Sequence, residues 1–187
     1  MTVDLTRYCA RITAALVVVL VLICGCTSDK TESPIINEDI PVTNIADLPD
    51  IEQTRTQLLE LIERVRAEVV RVVPDTEPWE WRRDEARFGC VQEATGSEGS
   101  SLHLRNLVSD RPLTDDEWNR VFPAVERIAV EAGLTNYSAP QNSSGNHDVR
   151  FTSDDGRELV FGTREATLIS GSAACRRRSG DAAGAHP

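Results

Sequence analysis

Residues that commonly carry catalysis are scarce in this chain. Histidine occurs three times, at His103, His147 and His186, and no position pairs it with an obvious nucleophile. No Gly-x-Ser-x-Gly turn is present to lift a serine out of a strand–helix junction. The visible carboxylate pairs have local explanations. Asp115-Asp116-Glu117 opens a helix and Asp154-Asp155 builds a turn, so neither requires a glycosidase or metal role. The cysteines lack the Cys-x-x-Cys spacing of a redox pair and the third and fourth clustered ligands of a zinc site. These absences argue against an enzyme and against a bound metal or cofactor. A formal net charge of −10 also argues against nucleic acid and anionic head groups as partners.

What the chain does have is concentrated at its start. Arg7 and Arg11 precede a nearly unbroken apolar run from Ile12 to Ile23, followed at once by Cys24-Gly25-Cys26. A basic region, an apolar stretch of about 12 residues and a small residue at the cut describe a secretory signal. The run falls short of the roughly 20 apolar residues that span a bilayer comfortably. Ile23-Cys24-Gly25-Cys26 resembles a bacterial lipobox, in which the final cysteine is acylated and the signal is cut just before it. Gly25 suits the small-residue position, whereas Ile23 in front of Cys24 does not. The competing readings are a plain cleaved signal, with Cys26 a bystander, and an uncleaved anchor. On the lipobox reading, residues 1–25 are the signal, and Cys26 carries acyl chains into the membrane at about 0.8 kcal/mol per buried methylene. The remaining 162 residues lose Arg7, Arg11 and Asp4 and carry a net charge of −11.

Cys9 and Cys24 leave with the signal and Cys26 is consumed by lipid, so Cys90 and Cys175 remain as a pair in an oxidising compartment. They are expected to form a structural disulfide. Closing a loop of about 85 residues restricts the unfolded chain by at most about 4–5 kcal/mol.

Local patterning lays out one domain over residues 50–175. Residues 26–49 are polar, interrupted by Pro34, Pro41 and Pro49, and read as a flexible tether of roughly 25–30 Å reach. Asp50 and Gln53 have capping-box spacing, and Leu58, Ile62, Val65, Val69 and Val72 form one helical stripe that Pro74 ends. A second helix opens at Thr114 with Glu117 completing the box, and with Leu113 and Trp118 as a hydrophobic staple. Pro123 lies inside it, where a proline costs about 3 kcal/mol and predicts a kink. Strands are expected at 87–91, 101–105, 149–152, 158–161 and 166–170, with turns at 96–100 and at Asp154-Asp155-Gly156. His103, between Leu102 and Leu104, then faces solvent, and His147, after Gly145-Asn146, sits exposed in a polar loop. Arg176-Arg177-Arg178 opens a disordered tail over 176–187. The order of elements gives an α+β fold, a two-layer sandwich of two main helices on a mostly antiparallel sheet.

The segment Pro78-Trp79-Glu80-Trp81-Arg82-Arg83 holds two of the three tryptophans beside two arginines. Indoles packing a small core explain it most simply. Trp79, Trp81, Arg82 and Arg83 are equally the types enriched in binding hot spots, and they form the candidate binding surface. An irregular backbone after Pro78 would let one tryptophan pack inside while the other faces out with an arginine. Asn136-Tyr137-Ser138 and Asn142-Ser143-Ser144 match glycosylation sequons, which a bacterial lipobox makes accidental.

Taken with Cys26, the helix from Asp50, Phe88-Gly89-Cys90, Leu113-Thr114-Asp115-Asp116-Glu117-Trp118 and the late Cys175, this segment resembles the LppA-type mycobacterial lipoproteins. The resemblance implies attachment to the outer face of the cytoplasmic membrane and brings no catalytic residues. The expected protein is therefore a cell-envelope lipoprotein, held in the membrane by its acyl chains, with a non-catalytic domain that binds an envelope protein or wall component. A small carrier of lipids or other hydrophobic ligands is the alternative; it requires a large apolar cavity. The lipobox predicts that the native N-terminal peptide begins at an acylated Cys26 and that Cys26→Ala abolishes both acylation and cleavage there. Mass spectrometry of that peptide checks it, and an unmodified peptide starting elsewhere refutes it.

Overall fold

The computed structural model describes residues 43–93 and 95–181. The expected signal, Cys26 and the tether as far as residue 42 lie outside the described residues, as do residues 182–187. Helix α1 spans Ile51–Val72 and α2 spans Asp115–Glu131. Both capping boxes form. Asp50 accepts from the Glu52 and Gln53 amides while the Gln53 side chain accepts from the Asp50 amide, and Thr114 and Glu117 repeat the exchange. Both members of the staple, Leu113 and Trp118, are buried. Pro123 sits inside α2 and exposed, and the helix runs on through it to Glu131.

The strands are β1 (Trp79–Arg82), β2 (Ala86–Val91), β3 (Glu98–His103), β4 (Asn106–Ser109), β5 (Asn136–Ser143), β6 (Asn146–Thr152), β7 (Arg157–Thr163) and β8 (Thr167–Arg176). All pairings are antiparallel. The ten-residue β8 has β7 on one side; on the other, β4 pairs with its first half and β3 with its second. The strands β3 and β4 thus behave as one strand broken at Leu104–Arg105. The outer strands follow that break, β1 on β4 and β2 on β3. At the opposite side the order continues β7, β6, β5. Two helices on this antiparallel sheet make the expected α+β sandwich.

Cross-strand partners share a face, so the register shows what lies under the helices. Leu159, Phe161, Val149, Phe151, Leu107 and Ile169 are all buried there against Leu58, Ile62, Val65, Val69, Trp118 and Val125. On β8 the helix side also carries Gly171, where an added Cβ would stand 3.5 Å from Ile62 Cδ1 and 3.3 Å from the Glu158 carbonyl oxygen. Gly156 takes the left-handed conformation (φ +80°) that closes the β6–β7 hairpin at the expected turn.

Four features depart from the sequence reading. The strands β1, β4 and β5 were not expected: the first two are four residues long, and β5 is a polar edge with Pro140 and a register shift between Ser138 and Gln141. Residues 43–49 are not free tether. Ile45 is buried, its amide donates to Gln92 Oε1, and Gln92 Nε2 donates to the Thr43 carbonyl. Arg176 is not tail either; it ends β8 at 1% exposure. A register shift in the β3–β8 pairing turns it to the helix side, where its guanidinium donates to the carbonyls of Asp155 and Cys175. Arg177 then accepts from the Ile51 amide through its own carbonyl and donates to the Leu48 carbonyl through its side chain. Finally, His147 is not in an exposed loop: it belongs to β6 and its side chain is 10% exposed.

The Cys90–Cys175 disulfide joins β2 to β8 across the intervening β3, with the Cα atoms 5.9 Å apart. It passes over Gly99. A Cβ there would stand 2.3 Å from the Arg176 carbonyl oxygen and 3.0 Å from Cys175 Sγ. Gly99→Ala is therefore expected to destabilise the domain by about 1–3 kcal/mol through overpacking. Gly89→Ala, where a Cβ meets nothing within 4 Å, should leave stability within about 1 kcal/mol. Urea unfolding of both variants under non-reducing conditions checks the difference.

Candidate functional site

The strand β1 carries the sequence-derived candidates. It is a regular strand, so Trp79 and Trp81 share one face, opposite Ser109 and Leu107 of β4. That is the helix side, and both indoles are half-buried against the core. The expected split between an inner and an outer tryptophan does not occur, because the backbone bends after the pair, at Arg83 (φ 64°), and not between its members. Trp79 Nε1 is buried without a hydrogen-bond partner, and the Arg105 guanidinium lies 5.4 Å above the Trp81 ring.

Arg82 points to the opposite face. Its guanidinium lies 2.8 Å from Asp110 and 3.3 Å from Glu80. Arg83 is exposed beyond the strand end. The four candidates therefore do not converge on one surface. Arg82 instead forms part of a groove of about 300 Å³ between Glu77, Pro78, Glu80, Asp110 and Arg111, with Ser109 among its lining residues. Ser109 is buried and donates to the Thr76 carbonyl, while Arg111 is held by both carboxylate oxygens of Glu117. That pairing, reinforced by hydrogen bonds from Thr114, lowers the Glu117 carboxyl to about 2.

A second polar cluster, missed in the sequence, fastens the β5–β6 tip to the start of α2. Asp115 accepts from Ser144 Oγ and from the Gly145 amide at 2.8 Å, and its Oδ1 lies 3.1 Å from His147 Nε2. These three contacts, Ser144 first, lower the Asp115 carboxyl to about 2. His147 Nδ1 lies 2.8 Å from Asn142 Oδ1, and its ring stacks on Trp118 at 4.5 Å, with Phe161 also stacked on Trp118 at 4.8 Å. A serine, a histidine and an aspartate meet here, but in the wrong order for nucleophilic catalysis. Ser144 donates to the carboxylate and not to the imidazole, so the histidine is not placed to take its proton. The signal in the sequence was a second acid beside the cap residue Thr114; what it would bind depended on a loop thirty residues away. Among the described residues, no group of three His, Cys, Asp or Glu side chains is placed to hold a metal ion.

A disulfide-closed α+β domain carrying a charged groove is the class of protein defined so far. The family model of LppA, described as a lipoprotein confined to pathogenic Mycobacterium, matches residues 41–179, and the chain belongs to that family. Among solved structures, the putative lipoprotein LppA from Mycobacterium tuberculosis superposes with a TM-score of 0.50 at 14% identity, over 71% of this chain and 85% of that one. A DUF4853 family protein from Actinomyces odontolyticus gives a TM-score of 0.46 at 15% identity, over 75% and 77%. No curated protein matches the chain. At 14% identity the likeness to the Mycobacterium tuberculosis structure shows a shared fold and nothing more.

The two lowered carboxyls give a pH prediction. Each is ionised in the folded protein at pH values where the unfolded chain, at 3.8 for Asp and 4.5 for Glu, already binds a proton. Their stabilisation is complete above those unfolded values and is lost as pH falls toward about 2. Stability measured by urea unfolding should fall between pH 4.5 and 2. Asp115→Asn should flatten that slope and lower stability at pH 7; an unchanged slope would refute the assignment.

Proposed function

We propose that this LppA-family protein is anchored by acyl chains on Cys26 at the extracytoplasmic face of the cell membrane and that its domain binds a polar partner, an envelope protein or a wall component, without catalysis. The family description and the Cys26 sequence support the anchor. The observation that carries the binding half is the groove beside β1, where Arg82 spans Glu80 and Asp110 at the rim. Its charged lining suits a partner with hydrogen-bonding groups better than an acyl chain, which favours this reading over a lipid carrier. The groove also lies at the far end of α1 from Ile51, about 33 Å along a 22-residue helix. The described chain enters at the near end, where Thr43 and Ile45 are fastened to Gln92.

The test uses the full chain isolated from a mycobacterial host, with co-purifying molecules identified by native mass spectrometry. A specific protein or wall fragment is expected, and Arg82→Ala should remove it. Folding should hardly change, since exposed ion pairs contribute only about 0.2–1 kcal/mol. Trp79→Ala should instead cost several kcal/mol through lost packing, of order 3–5 for a fully buried indole. A stoichiometric lipid in place of a polar partner, or capture indifferent to Arg82→Ala, would overturn the proposal.

A further inference from the structure

The outer edge of β2 is free among the described residues; its one strand partner is β3. Two large apolar side chains on this six-residue strand are open to solvent, Phe88 at 55% and Val91 at 59% exposure. The Phe88 ring meets His103 edge-on at 6.0 Å and otherwise faces outward. An unpaired strand edge offers backbone donors and acceptors that another extended strand satisfies.

Charge and register say which strand. Three residues before β2, at the bend, stands Arg83, exposed and without an ion-pair partner among the described residues; two residues after it, in a turn, stands Glu93, likewise exposed and unpaired. A two-fold axis lays a strand antiparallel to its own copy, so each end meets the opposite end of the partner. A strand with a cation at one end and an anion at the other is complementary to itself in that arrangement. Keeping the two sheets' faces aligned restricts the register to steps of two residues. Centring it on Phe88 sets Phe88 against the second copy's Phe88, Arg87 against Gly89 and Ala86 against Cys90, and brings the bend that carries Arg83 beside the turn that carries Glu93. Moving the centre to Gly89 would carry the Glu93 turn away from Arg83 and toward Glu85, and moving it to Arg87 would oppose two arginines. Next to that turn, Gln92 is uncharged and already held by Thr43 and Ile45, and Glu85 is held by Arg55 and Arg87.

We propose that two copies of this chain associate through antiparallel pairing of their β2 edges about Phe88, with Arg83 of each copy facing Glu93 of the other. This surface is separate from the groove beside β1 and does not depend on the function proposed for it. A single strand pair of this length buries less than the roughly 1,200–2,000 Å² of a standard stable interface, so the association is weak and favoured by crowding at a surface.

The experiment places the photo-crosslinker p-benzoylphenylalanine at residue 88 of the full chain in its native membrane. Illumination should give a covalent dimer whose linked peptide includes residues 86–93 of a second copy. Arg83→Glu or Glu93→Arg alone should lower the yield roughly fivefold to tenfold, because the contact occurs twice across the axis. Arg83→Glu with Glu93→Arg in the same chain should restore it. Cys90–Cys175 linkage on non-reducing peptide mapping verifies that each variant folds. Crosslinking to a different protein, no dimer from a chain with that linkage intact, or a double variant as poor as the singles would overturn the proposal.

Discussion

The close approach of α1 to β8 is the constraint on which the domain rests. Along the helix side of β8 the residues are Thr167, Ile169, Gly171 and Ala173, small enough in the middle for Ile62 to reach the sheet. Over that shallow track Leu58, Ile62, Val65 and Val69 are at most 1% exposed. Each fully buried aliphatic side chain of this size contributes about 1.5–3 kcal/mol. A few such residues therefore weigh as much as the whole net stability of an ordinary domain, about 5–15 kcal/mol. Caps and surface ion pairs supply much smaller increments. The same strand is paired by β3, β4 and β7 and bears Cys175, so hydrogen bonding, packing and the covalent link converge on it.

Charge is handled locally. Arg55, Arg64, Arg66, Arg71 and Arg87 each meet a glutamate of the helices or nearby loops, and Arg111 closes on Glu117. In a strongly acidic chain these pairs reduce self-repulsion at the surface without adding much stability each. Arg176 is the exception. It is almost wholly buried, and burial lowers its pKa while the Asp155 charge 3.5 Å away opposes that shift. The carbonyls of Asp155 and Cys175 accept hydrogen bonds from it, which lets a guanidinium sit inside the sheet–helix layer.

What was legible in the sequence was local. Asp50 with Gln53 and Thr114 with Glu117 announce the helix starts because a cap is decided within four residues. The alternation in β6 and β7 is visible because one face is buried and the other wet. The strand β5 was not legible: seven of its eight residues are exposed and Pro140 interrupts it, so it exists through pairing with β6. Arg176 looked like the start of a charged tail because the register shift that buries it depends on β3, more than seventy residues earlier. His147 looked like loop because its environment comes from Trp118 and Asp115 on a helix. The segment Trp79–Arg83 was rightly singled out as unusual, but strand geometry separates its tryptophans from Arg82, and the groove draws its other walls from Glu77 and the Asp110-Arg111 loop.

The two sides of the sheet are unlike each other, β5 forming one and β1 with β2 the other. The border formed by β5 carries a proline, which has no amide proton to give, and an irregular register against β6. Such an edge resists continuation by an incoming strand. The opposite side ends in two strands, β1 and β2, and carries no proline within either. A sheet receptive on both sides could add copies indefinitely and grow into a fibre, whereas closure on the β5 side confines strand addition to the side of β1 and β2. Pro140, a surface residue with no packing role, thereby closes one side of the sheet to strand addition.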